Sequence, residues 1–274
     1  MKKNLNFKNN AFVVIGANSK IFKLFINKYK YEKYDYFLYS KKNPNLKFNY
    51  RFSKWQLWEQ IDITNLRNYK NITILIFAHD WQNYYTNYHI KGFKKLNLEL
   101  EKKLFHKKNL KKIYFSSFSA NRNASNFYGK IKYAIERIFL KHNFKIVRIS
   151  LIVDSTKFYH FKKIINNSKK KIIILPKSSE KFQLVNINIL IKKINLIVNK
   201  KLKTNVFNIG TIESFSLKEL IQFYSKNKSQ IFIEINLNIV LITLKILCFL
   251  KLFNYRIYDS LLGLKKQFYL KKTF

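Results

Sequence analysis

Tyr114-Phe-Ser116-Ser117, followed eleven residues later by Tyr128-Gly-Lys-Ile-Lys132-Tyr-Ala-Ile-Glu136, decides how this chain folds. The first piece is an apolar run that stops at paired serines, as a buried strand does where it leaves a sheet. The second leads into Tyr133, Ile135, Ile138 and Phe139, apolar positions at helical spacing. A strand feeding a helix is one β-α unit. On that helix Tyr128 and Lys132 lie four apart, on one face and a turn from each other. An ammonium beside a phenol lowers the phenol's pKa from its ordinary value of about 10. A phenol so tuned can exchange a proton with a sugar or alcohol hydroxyl, while the Ser117 hydroxyl holds the reacting oxygen. The spacing alone is not diagnostic, because Tyr-x-x-x-Lys occurs five times, starting at Tyr29, Tyr50, Tyr128, Tyr159 and Tyr224. Only the third follows a strand-like run and opens a helix-like one.

Outward from this unit the same alternation repeats. Strands are expected at 12–15, 36–39, 61–63, 72–78, 112–116 and 145–149, with helices at 21–30, 88–105 and 127–141. This predicts an α/β fold with a doubly wound parallel sheet of Rossmann type. Beyond residue 150 the pattern loosens into strands at 172–175, 182–185 and 205–209 and a helix at 187–198. Ser216-Leu-Lys-Glu219 is a capping box that starts another helix through Tyr224. Residues 1–150, with 183–210 completing the sheet, are expected to form an NAD(P)-binding domain. Residues 151–182 and 211–274 are expected to form a small interleaved C-terminal substrate or cap lobe.

The nucleotide end is the turn after the first strand, Val13-Val-Ile15-Gly16-Ala-Asn18-Ser19-Lys-Ile21-Phe22. A helix N-terminus at such a turn receives a pyrophosphate, and Gly16 supplies the tight bend. The later glycines of the usual fingerprint are replaced by Ser19 or Lys20 and by Phe22. After the second strand comes Tyr39-Ser40-Lys41-Lys42, a hydroxyl and cations where an NAD site usually offers a carboxylate. Ser40 and Lys41 therefore tilt the expectation toward NADP over NAD. Asp62, beside Ile63 after the third strand, could contact the adenine edge or serve as a turn carboxylate.

In this order the residues resemble the extended short-chain dehydrogenase/reductases, of the NAD-dependent sugar-nucleotide epimerase/dehydratase type. The likeness rests on Gly16, Asp62, Phe77-Ala78-His79, Asn87-Tyr-His-Ile-Lys-Gly92, Ser116-Ser117, Tyr128 to Lys132 with Glu136, and Val147-Arg148-Ile149. It continues through Phe207-Asn-Ile-Gly210, Ser216 to Leu220 and Asp259-Ser-Leu-Leu-Gly263. The resemblance implies Tyr128 as acid/base, Lys132 on the nicotinamide ribose and Ser117 on the reacting oxygen. Gly16, Asn18, Ser19 and Ile21 would hold the pyrophosphate, with Ala78 lining the cofactor and Asp62 and Ile63 near the adenine. It also implies a nucleotide-sugar substrate and a homodimer. Dehydratases of this group place an acidic pair after the catalytic serine, whereas this chain has Phe118 and Ser119. That departure favours epimerisation or simple redox chemistry. The degenerate glycine turn keeps open a catalytically eroded binding or assembly subunit.

A formal charge of +40 suggests a nucleic-acid partner at first sight. Yet the 54 basic residues include only six arginines, spread along the chain with Asn, Ile, Phe and Tyr. All these residues except arginine have A- and T-rich codons, so base-composition drift accounts for the excess. Base and phosphate readout favours clustered arginine, so no specific nucleic acid is expected. The single cysteine, Cys248, excludes an internal disulfide and is expected as a buried thiol. The five histidines lack metal-ligand spacing, so no metal is expected. The N-terminal apolar run is short for a signal peptide, which points to a cytoplasmic protein. The apolar segment 231–253, interrupted by Asn236, Asn238, Lys245 and Lys251, is expected as a cap helix. Its alternative is a helix lying on a membrane surface, not a membrane span.

Overall fold

In the computed structural model the described residues are 8–29, 33–54, 66, 68–78, 87–104, 109–200, 203–225 and 229–265. The chain divides into two compact units. The first comprises Met1–Ser116, Ala134–Val147 and Ile191–Phe207; the second comprises Ser117–Tyr133, Arg148–Leu190 and Asn208–Phe274.

The first unit is built on β1 (Lys8–Ile15), α1 (Lys20–Lys28), β2 (Asp35–Ser40), β3 (Arg51–Lys54), β4 (Tyr69–Ile76), α2 (Asn87–Leu104) and β5 (Asn109–Ser117). Next come α3 (Phe127–Lys141), whose residues up to Tyr133 belong to the second unit, and β6 (Lys145–Ile149), and later most of α5 (Ile187–Asn199) and the start of β10 (Val206–Ile209). The sheet order is β10-β6-β5-β4-β1-β2-β3. Strand β1 runs parallel to both β2 and β4, β2 parallel to β3, and β4 parallel to β5. Phe12, Val13, Val14 and Ile15 in the middle of the sheet are wholly buried. That is why β1 reads as a continuous apolar run instead of an alternating one. Against the sheet, Phe93 of α2 and Phe139 of α3 meet Tyr114 and Phe144 at ring separations of 4.4 to 5.9 Å. Each such side chain contributes roughly 1.5–3 kcal/mol by leaving water. The strand order reverses between β1 and β4, and in sheets of this kind the ligand crevice opens at that point, at the carboxyl ends of the strands. Gly16 and Ala78 stand there.

The second unit holds β7 (Leu151–Val153), α4 (Tyr159–Ser168), β8 (Ile172–Lys177) and β9 (Phe182–Asn186). It continues after α5 (Ile187–Asn199) and β10 (Val206–Ile209) with β11 (Ser214–Phe215), α6 (Leu217–Phe223), β12 (Ile231–Asn236), α7 (Leu237–Phe249) and α8 (Tyr255–Leu262). A 3-10 turn follows over Gly263–Lys265. The strands form a three-stranded sheet, β11-β9-β7, and a parallel pair, β12-β8. Val153, Phe161, Ile164, Ile173, Leu175, Leu184, Leu220 and Ile221 make its core. The capping box read from the sequence is present: Ser216 Oγ accepts from Glu219 N–H and the Glu219 carboxylate from Ser216 N–H.

Two expectations are corrected, and one strand is added to those expected. Segment 231–253 is not one helix, because its first part is strand β12 and only Leu237–Phe249 is helical. Asn236 divides them, its side chain accepting the Asn238 N–H at the helix start. The isoleucines at 231, 233 and 235 alternate, but Phe232 between the first two is apolar as well, which weakens the period-two signal. Cys248 is partly exposed, not buried. The strand beside β2 is Arg51–Lys54, whose Arg51, Ser53 and Lys54 are exposed as suits a sheet edge. The strand expected at 61–63 lies outside the described residues.

Candidate active site

Helix α3 begins with an unusual degree of support. An α-helix leaves its first amides without intrahelical partners. Here the Phe127 N–H donates to Asp259 Oδ1 at 2.6 Å and the Tyr128 N–H to Asp259 Oδ2 at 3.2 Å. The Gly129 N–H donates to Asn126 Oδ1 at 3.1 Å. Asp259 is only 2 % exposed. Its negative charge sits at the positive end of the helix dipole, which favours it. Gly129 is required by contact: a Cβ there would fall 2.3 Å from the Ser119 carbonyl oxygen. Replacing Asp259 by Ala strips two partly buried N–H groups of their acceptor. We expect a loss of about 1–3 kcal/mol in a urea-unfolding measurement, and a smaller loss for Asp259→Asn, which keeps one acceptor.

This start fixes Tyr128, and Lys132 follows one turn later. The Lys132 ammonium stands over the Tyr128 ring, 5.9 Å from its centre, and Lys132 is buried. A hydrogen bond joins the side chains of Ser117 and Tyr128. The Ser117 Oγ also accepts the Ser119 N–H at 3.2 Å. The structure thus brings Ser117, Tyr128 and Lys132 together. The expected lowering of the phenol's pKa is not what it shows. Burial pushes the Tyr128 phenol up to about 12, and the Ser117 hydrogen bond only partly opposes that. With the ammonium over the ring face, desolvation of the phenolate wins.

The sign of the consequence is definite. Tyr128 ionises near 12 in the folded chain and near 10 when unfolded. The stability gained by keeping it neutral is complete below the unfolded value and is lost as pH rises through the folded one. A difference titration of wild type against Tyr128→Phe, read as tyrosinate absorbance, should show this phenol ionising toward 12. Ionisation centred on the ordinary value would contradict the desolvation that raises the phenol's pKa.

Phe118 follows Ser117, its N–H donating to the Ile149 carbonyl. Its ring borders Gly210, where a Cβ would lie 2.9 Å from Phe118 Cζ. Among the described residues no group of three or more His, Cys, Asp or Glu could hold a metal.

At the turn after β1, the Gly16 N–H donates to the Tyr39 carbonyl at 2.8 Å and the Ala78 N–H to the Ile15 carbonyl at 3.1 Å. Gly16 has φ +89°, in the range that favours glycine. The Asn18 side-chain amide donates to Ser40 Oγ at 3.2 Å and also to the Lys42 carbonyl. The Ser40 hydroxyl in turn donates to the Lys42 carbonyl at 2.5 Å. Gly16, Asn18, Ser40 and Ala78 therefore converge on one strand-end cradle, with Lys41 exposed beside it. Ser40 is buried and ties the two turns together. Ser19 occupies the N-cap of α1 without a side-chain cap bond, and no acidic residue lies in the first turn. That arrangement leaves the helix N-terminus suited to an anion, so these residues fit a dinucleotide's phosphates. Phe22, in a place usually glycine, is fully buried with its ring 5.9 Å from that of Phe77. Ile21 is partly buried on the first turn of α1. Asp62 and Ile63 lie outside the described residues.

Asn126 and Asp259 escaped the functional reading of the sequence. Asn126 carries a local signal, an amide side chain just before a helix. Asp259 enters the resemblance only as part of Asp259-Ser-Leu-Leu-Gly263, which gives it no role at α3.

By sequence the chain matches no protein-family model and no curated protein. By structure it is similar to many solved proteins. One is MoeE5, solved with UDP-glucose and NAD, at a TM-score of 0.62 and 12% identity over 83% of this chain and 85% of that one. Another is TunA, an NAD-dependent NDP-hexosamine 5,6-dehydratase, at 0.63 and 11% identity over 82% and 84%. A third is UDP-glucose 4-epimerase from Thermotoga maritima, solved with UDP-glucose, at 0.62 and 15% identity over 82% and 85%. The Rossmann-type α/β fold is thus shared with NAD-dependent sugar-nucleotide epimerases and dehydratases.

Proposed function

We propose that this protein is an NAD(P)-dependent oxidoreductase or epimerase acting on a nucleotide-linked sugar. The observation that carries the reading is the hydrogen-bonded Ser117–Tyr128 pair with the Lys132 ammonium over the phenol ring. Bound dinucleotide supplies the hydride chemistry, and this chain's residues bind, orient and move the proton. Tyr128 is protonated at neutral pH in the resting protein, so its phenol is ready to donate to a reacting oxygen. Ser117 holds that oxygen and the phenol in line. Positive charge over the ring stabilises the phenolate left behind, which lets the same group take a proton in the reverse direction. Phe118 at the position after Ser117 has no acid to offer, which supports epimerisation or redox chemistry over elimination of water.

Gly16, Asn18, Ser19 and Ile21 hold the pyrophosphate in this reading, Ala78 lines the cofactor, and Asp62 and Ile63 take the adenine side. Lys41 beside Ser40 supports a modest preference for NADP. The first compact unit carries the dinucleotide cradle in this reading, and the second carries Ser117, Tyr128 and Lys132. Titration with NADPH and NADH, followed by nicotinamide fluorescence, tests the assignment together with mass spectrometry of any co-purifying nucleotide. The expected result is saturable binding, tighter for NADPH. The turn's single glycine favours one other reading, a binding or assembly subunit on the same fold. Failure of both cofactors to bind at millimolar concentration would favour that instead.

A further inference from the structure

The second compact unit carries an apolar surface that the sugar-nucleotide reading does not use. In the parallel pair β8–β12, Ile172 lies beside Ile231 and Ile174 beside Ile233, and Ile235 continues the row. The side-chain period of a strand is two, so these five share one face. All five are exposed, Ile174 by 64%, while Ile173 and Leu175 between them are buried in the core. Helix α7 follows directly on β12 and packs against both strands. It is mainly apolar, with Asn238, Thr243 and Lys245 its polar residues. Leu237 and Leu241 are buried, yet Ile239, Ile242, Ile246 and Phe249 form a second stripe that faces outward, with Phe249 85% exposed. Leu250, Leu252 and Phe253 extend it. Surface helices are ordinarily polar on the outward side, and exposed apolar patches of this extent mark binding surfaces.

Cations are set among these apolar groups. Lys169, Lys170 and Lys171 lead into β8 and Lys177 ends it, while Lys245, Lys251 and Arg256 lie on and beyond α7; all are exposed. Of the two acids between residues 229 and 265, Glu234 is paired with Lys218 at 3.1 Å and Asp259 is buried at the start of α3. Another copy of a chain with formal charge +40 would meet like charge here. An anionic partner with an apolar layer beneath its charges would not. At 13 residues α7 is about 20 Å long, short of a membrane's hydrocarbon core. No helix among the described residues is long and apolar enough to cross a membrane. We propose that the β8–β12 face and α7 rest on an anionic lipid bilayer, with the isoleucines and Phe249 below the headgroups and the lysines at phosphate level.

The experiment must separate embedding from the adhesion that so basic a chain shows toward any polyanion. Wild type and the triple variant Ile242→Ser, Ile246→Ser, Phe249→Ser, identical in charge, are floated with phosphatidylcholine vesicles and with vesicles containing phosphatidylglycerol. Wild type should float with the anionic vesicles and remain partly bound at about 0.5 M salt, where electrostatic attraction is largely screened. The variant's partition should fall by about tenfold or more. Equal flotation of the two proteins would overturn the proposal, as would failure of wild type to bind. A fall in sedimentation coefficient of the lipid-free protein on substitution would make the occupant a second copy and overturn it equally. A single variant, Phe249→Trp, gives an independent reading. Its indole emission, taken against the unsubstituted protein, should shift to the blue on anionic vesicles, and an unshifted spectrum counts against the proposal.

Discussion

Tyr128→Phe is expected to reduce turnover by about a thousandfold, the usual scale for loss of a positioned proton donor, while dinucleotide affinity stays near the wild-type value. The substitution removes one oxygen and keeps the ring under the Lys132 ammonium. Asp259 and Asn126 hold backbone atoms, so the start of α3 is not disturbed. The folding cost is therefore limited to the Ser117 hydrogen bond, about 1 kcal/mol. Turnover followed as nicotinamide absorbance, beside the fluorescence titration, separates chemistry from binding. Full activity in the variant would sink the acid/base assignment and leave the cofactor cradle standing.

Gly16→Ala should be the most damaging small substitution in the first unit. A Cβ at this position would lie 2.6 Å from the Ala78 nitrogen, 2.8 Å from its Cα and 3.0 Å from the Phe77 carbonyl carbon. All three are backbone atoms of the strand end where β4 finishes, so no side chain can swing aside. The backbone at φ +89° adds strain for any L side chain. Together we expect a destabilisation of about 2–4 kcal/mol, seen as a lower urea midpoint. Dinucleotide binding should fall with it, because relief of the clash must pull apart the turn that carries Asn18 and Ser19. A variant of wild-type stability would mean that β1 and β4 are not held as closely as described.

The elements that could be read from the residues are those whose signal is local. Strands β1, β2, β4, β5 and β6 are buried through the sheet's middle and show as apolar runs. Helix α3 shows its period through Ile131, Ile135 and Phe139, all buried. Strand β3 could not be read, since an edge strand with three exposed residues of four has no apolar pattern to offer. The division of 231–253 turned on Asn236, one of several polar residues in a mainly apolar segment. At the site, the proximity of Tyr128 and Lys132 follows from helical spacing. The phenol's raised pKa does not, because desolvation depends on what surrounds the ring and not on its neighbours in sequence. Asp259 was equally illegible as a partner of α3, since nothing local ties it to a helix 132 residues away.

That last contact bears on when a newly made chain becomes competent. Residues 127 and 128 leave the ribosome long before the carboxylate that receives their amides. At 5–20 residues per second, the intervening 132 residues take on the order of ten seconds to synthesise. During that interval the nascent helix lacks its anchor and its tyrosine is not yet held. The start of α3, and with it Tyr128, can be fixed only late in translation, after the turn at Gly16 near the amino end has had time to form.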